Sequence, residues 1–173
     1  MIYFNGFSLK GEEKLFKPYL IDNEYTLIGF SYGAIKAFEY ASHANKTRVD
    51  RLILLSPAFF QTSTELFKKK QLEYFELNQK VYVKQFLKNI SSPSHTKLSH
   101  YLSLGTKEEL HTLLTYVWNK ERLEKIINNN IKIEVFLGKK DKIINQKEAL
   151  SFFKSAGCTT YLLNNAGHLL LGE

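Results

Sequence analysis

Five short runs of nearly unbroken apolar residues set what this chain can fold into: IYF at 2–4, YTLIGF at 25–30, RLILLS at 51–56, IKIEVFLG at 131–138 and TTYLLN at 159–164. Runs of this length, without polar alternation, predict strands buried on both faces, as in a parallel sheet. Parallel strands need crossovers, and helical patterns stand between the runs. Residues 33–44 begin small and place Ile35, Phe38 and Ala41 at helical spacing. Residues 146–156 follow Asn145 as N-cap, with Glu148 three positions on and Gly157 as the C-terminal stop. Strand alternating with helix predicts an α/β domain with a reduced, mainly parallel sheet of about five strands.

One stretch breaks the alternation. Residues 57–125 follow Ser56-Pro57, hold no convincing strand, and read as a helical insertion. Thr62 with Glu65, and Thr106 with Glu109, match the capping box that opens a helix, and Ser91-Ser92-Pro93-Ser94 divides the insertion in two. The core is then 1–56 with 126–173, and 57–125 lies over it as a lid. The 173 residues suit one domain.

The only cysteine, Cys158, excludes an internal disulfide and fits a reducing cytoplasm. The N-terminus lacks the basic and apolar regions of a signal peptide, and no apolar stretch is long enough for a bilayer. A net charge of +7 favours an anionic partner without choosing one. No basic-aromatic motif points to nucleic acid. No cluster of Cys, His and Asp has metal-ligand spacing, so neither metal nor other cofactor is expected.

The second run ends in GFSYG, residues 29–33, with a helical pattern directly after it. In that setting G-x-S-x-G is a nucleophile elbow: Gly29 and Gly33 leave room for a tight strand-to-helix turn, and Ser31 projects from the carboxyl end of the sheet. A serine hydroxyl needs a base, and the base an orienting acid. His168, in NNAGHLL, follows the fifth run; Asp141, in LGKKDKI, follows the fourth. The order Ser31, Asp141, His168 is that of the α/β-hydrolase fold. Asp22 and Asp50 precede strands and belong at the other end of the sheet. The tetrahedral intermediate needs two N–H donors: the backbone of Tyr32, after the nucleophile, and that of Phe7, in the loop after the first strand.

The segments NGFS, GFSYGAIKAFEYA, RLILLSPAFF, IKIEVFLGKKDKI and AGHLL, which together span nearly the whole chain, resemble the short form of the pimeloyl-acyl-carrier-protein methyl ester esterases of biotin synthesis. Asn5 stands where such enzymes often carry histidine. The resemblance implies a compact α/β-hydrolase with a helical lid and an acyl carrier protein as partner. It implies hydrolysis of the distal methyl ester of the carrier-bound pimeloyl chain, giving pimeloyl-acyl-carrier-protein and methanol, with Ser31 as nucleophile and His168 as base. A general esterase or thioesterase for small acyl chains is the alternative.

The insertion is rich in aromatics, most of them read as helix-packing core; Phe59 and Phe60, just after the third strand, are candidate walls of an acyl channel. Lys68, Lys69, Lys70 and Arg122 are candidate docking residues for an acidic carrier. About 18 residues between first loop and elbow, and only LLLGE after His168, leave one face of the sheet thinly covered. Monomer and homodimer both stay open.

Overall fold

The computed structural model describes residues 1–43 and 47–172. Five strands form one sheet in sequence order: β1 (Ile2–Phe4), β2 (Thr26–Phe30), β3 (Arg51–Leu55), β4 (Lys132–Gly138) and β5 (Thr159–Leu163). Every neighbouring pair is parallel. Burial on both faces holds for the inner strands: all of β2 and nearly all of β3 are buried, with Ile28, Phe30, Leu52, Leu54 and Leu55 at 0% exposure, whereas the edge strands β1 and β5 are exposed or half-buried along their length. β1 matches its run, and each of the other four strands is one residue shorter than its run.

Helix α1 (Tyr32–His43) packs against β1, β2 and β3, and α6 (Gln146–Ser155) against β4 and β5. Trp118 joins them, its ring 5.2 Å from Phe38 and 5.0 Å from Phe153. Strands laid down in sequence order and joined by right-handed crossovers put their helices on one face. Ala44, the last residue of the expected 33–44 helix, lies outside the described residues.

The other face is covered differently. A 3₁₀ segment, Glu12–Tyr19, connects β1 to β2, with Pro18 inside it and a kink at Phe16. Phe16 packs on Phe30 at 4.7 Å, and Tyr19 on Phe136 at 4.9 Å. This connection crosses the face opposite α1. Beyond it the face is charged. Glu134, 6% exposed, accepts from Arg51 Nη1 (2.9 Å), Lys132 Nζ (2.9 Å) and the Tyr161 hydroxyl (3.3 Å). The thin cover is thus met partly by ion pairs whose basic members reach water.

The insertion holds α2 (Glu65–Leu77), α3 (Gln79–Ile90) and α4 (Lys107–Thr115), followed by α5 (Lys120–Asn128). Thr106 and Glu109 make the expected capping box. The α2 cap is Thr64, accepting from Phe67 N at 3.2 Å, not Thr62. The expected lid boundary at 125 falls inside α5, and α5 packs on α1 as part of the core.

Candidate active site

The elbow needs its glycines because backbone fills the space beside them. A Cβ on Gly29 would sit 2.2 Å from Gly33 O, and one on Gly33 1.9 Å from Phe4 O. Ser31 adopts φ 53°, the left-handed region L-residues avoid. Its N–H donates to Leu55 O at 2.9 Å, and its carbonyl accepts from Ala34 N (3.1 Å) and Ala58 N (3.2 Å). Backbone hydrogen bonds on both sides therefore hold the strained turn.

The three carboxyl-end loops bring Ser31, His168 and Asp141 together. His168 Nδ1 lies 2.6 Å from Asp141 Oδ2, and Nε2 lies 3.0 Å from Ser31 Oγ. An ionised carboxylate only accepts, so Nδ1 carries the proton and Nε2 is left to accept from the serine hydroxyl. Asp141 Oδ1 is held by Ile143 N at 2.7 Å and Ile144 N at 3.3 Å. His168 is fully buried, Ser31 is 2% exposed, and the Phe30 ring lies 5.2 Å from the imidazole. The strand ends that present these loops pack as tightly as the elbow: a Cβ on Gly138 would lie 2.1 Å from Gly167 O.

Two backbone N–H groups, one on the elbow and one on the loop that packs against it, have no acceptor among the described residues. Tyr32 opens α1, and a first-turn N–H has no intrahelical acceptor. The Phe7 N–H likewise has no acceptor among the described residues. The loop 4–7 lies against the elbow, since a Cβ on Gly6 would meet the Phe30 ring at 2.8 Å.

The lid touches each of these loops. Ser92 O would be 1.9 Å from a Cβ on Gly167, next to His168. Lys10 N donates to Tyr101 O (2.7 Å), Ser103 N to Ser8 O (3.0 Å), and Gly105 N to Ser8 Oγ (3.0 Å). Ser8 is buried, 3% exposed, with φ 58°. Nothing local marks it, because its partner is 97 residues away.

A cavity of about 490 Å³ opens between α2, α3 and α4. Phe60, Tyr82, Phe86, Leu113 and Ile143 are among its lining residues, and it ends on Lys142-Ile143, directly after Asp141. Phe86 also packs on Phe7 at 5.5 Å, so one aromatic layer separates cavity from donor loop. Of the two expected channel walls only Phe60 is there. Phe59 faces α6, 5.5 Å from Phe152 and 6.0 Å from Phe153, and is core.

The expected docking residues are mostly occupied. Lys68 is 9% exposed and paired with Glu65, and Lys69 pairs with Glu73. Arg122 binds Glu39 through two nitrogens at 2.9 and 2.7 Å and lies over Phe38, pinning α5 to α1. It is a structural ion pair, and Glu39 holds its carboxyl below the usual range because of it. Lys70 alone of the four is exposed with no ion pair among the described residues. Lys80, Lys84 and Lys88 are exposed on α3 at helical spacing, along a helix with no acidic residue.

No family model matches the sequence, and no curated protein does. Solved structures do resemble the fold. An esterase from Exiguobacterium antarcticum superposes with TM-score 0.66 at 19% identity, over 83% of this chain and 59% of that one. MenH from S. aureus gives 0.62 at 13% identity over 96% and 85%. BioG from Haemophilus influenzae gives 0.58 at 13% identity over 97% and 87%. The chain has the α/β-hydrolase fold, and spans about three fifths of the length of the Exiguobacterium esterase.

Proposed function

We propose that the protein is a serine carboxylesterase that removes the methyl ester of a pimeloyl chain carried on acyl carrier protein. The observation that carries the esterase reading is the continuous contact from Asp141 Oδ2 through His168 to Ser31 Oγ. Ser31 Oγ attacks the ester carbonyl carbon as His168 Nε2 takes its proton. The oxyanion meets the N–H groups of Tyr32 and Phe7, worth about 10²–10³ in rate for each such donor. As the intermediate collapses, the C–O bond to methoxide breaks and His168 returns the proton, releasing methanol. Water, deprotonated by His168, then attacks the acyl-Ser31 carbonyl; collapse frees the carboxylic acid and restores Ser31. Asp141 stays ionised and holds the imidazole in the working tautomer.

The narrower substrate rests on the sequence resemblance, with support from the apolar cavity beside Asp141. The α3 lysines, rather than Lys68, Lys69 or Arg122, form the surface an acidic carrier would meet. The alternative is an esterase or thioesterase for small acyl chains, favoured by the same triad but indifferent to α3. The MenH and BioG likenesses fit either reading, since they are likenesses of fold.

The test is incubation with pimeloyl-acyl-carrier-protein methyl ester, following methanol. The reading predicts methanol release in step with free carrier-bound acid, and none with Ser31→Ala. Turnover of small aryl esters only would leave the general esterase; release of free pimelate monomethyl ester would make it a thioesterase.

A further inference from the structure

Glu12 is a buried acidic side chain that the chemistry above does not use. It is fully buried; one oxygen, Oε2, has no partner among the described residues, and burial raises its pKa above the usual carboxylate range. An orphaned buried oxygen costs stability. What Glu12 alone supplies is Oε1. It accepts from the Gly6 N–H at 2.7 Å, and the Tyr3 hydroxyl lies 3.4 Å away.

Gly6 is where that contact matters. It has no side chain to restrict its backbone, and it immediately precedes Phe7. Gly6 O accepts from Leu9 N at 3.3 Å. In a trans peptide the C=O and N–H point in opposite directions, so this bond aims the Phe7 N–H away from the turn. With its N–H tied to Glu12 and its C=O tied to Leu9, Gly6 is fixed on both sides, and the Phe7 N–H with it. Downstream, Ser8 is held by Ser103 and Gly105 of the lid.

We infer that Glu12 is a positioning residue for the oxyanion hole, acting through the Gly6 N–H on the orientation of the Phe7 N–H. This rests on the reading of Ser31 as nucleophile and Phe7 as donor. A residue in this role affects the transition state, where the oxyanion exists, and leaves ground-state binding alone.

The test compares Glu12→Met, which keeps volume and removes the acceptor, with Glu12→Gln, which keeps an amide oxygen for Gly6. The substrate is a small aryl ester, p-nitrophenyl acetate. Glu12→Met should lose about 10²-fold in kcat, the scale of one lost oxyanion donor, with KM little changed. Glu12→Gln should restore most of kcat. Wild-type kcat in a folded Glu12→Met protein overturns the role while leaving the hydrolase reading intact. A wild-type protein that turns over no ester removes both. Should Glu12→Met fail to melt cooperatively, amide exchange in the wild type decides: the Gly6 amide should be protected like the adjoining β1, and exchange at exposed-loop rates overturns the inference.

Discussion

Ser31, Ser8 and Ser56 each follow a strand, and each holds a positive φ that serine rarely adopts: 53°, 58° and 42°. Strain of this kind persists only where surrounding bonds over-determine the backbone, and here all three lie at the carboxyl end of the sheet, where Ser31, His168 and Asp141 meet. Ser31, Asp141 and His168 were legible in the sequence because each follows directly on an apolar run. The strand's end places the loop, and the residue type states its chemistry. Glu12 and Ser8 were not legible. Their significance lies in contacts to Gly6 and Gly105 that no local pattern encodes. Glu12 also carries a pH signature, with Tyr3 and Glu13 as the ionisable groups beside it. Its folded pKa is raised over an unfolded value of about 4.3. Native stability is therefore unaffected below that pH and falls as pH rises toward the folded value. Chemical denaturation across this range should show Glu12→Gln gaining on the wild type as pH increases. A difference independent of pH would mean that Glu12 ionises freely in the folded protein.

At the scale of elements, the strands and the helices flanking them follow from apolar periodicity, and the capping residues Asn145 and Thr106 mark real helix starts. Misplaced features depend on distant partners. Arg122 looked like a free lid charge, but Glu39 lies 83 residues earlier and claims it. Phe59 and Phe60 are adjacent in sequence yet face α6 and the cavity respectively. The lysines of α3 have no acidic residue on their own helix, whereas Lys68 and Lys69 of the denser run on α2 pair with that helix's glutamates. Reversing Lys80, Lys84 and Lys88 to Glu should raise KM for a carrier-bound ester with little change in kcat, because rim charges act mainly on encounter. Added salt should mimic the change in the parent protein, since the Debye length is about 8 Å at physiological ionic strength. Hydrolysis of a small aryl ester should be unaltered. Equal losses on both substrates would make these lysines part of the lid's fold, and no loss on either would send the carrier to another surface.

Across the whole molecule, the sheet is pared to five parallel strands, and the insertion does more than cover it. The insertion bears on the elbow through Ala58, on the donor loop through Gly105, and on the histidine loop through Ser92. Ser31 and His168 are buried in this arrangement, at 2% and 0% exposure. The central claim, that Ser31 is a nucleophile activated by His168 and Asp141, is tested most directly by fluorophosphonate labelling with the modified residue located by peptide mass spectrometry. The account predicts a single adduct on Ser31, none in Ser31→Ala, and labelling slowed by about 10⁴ in Asp141→Asn, the scale of losing the correct imidazole tautomer. No adduct on the folded wild type, or an adduct on another serine that persists in Ser31→Ala, would contradict it.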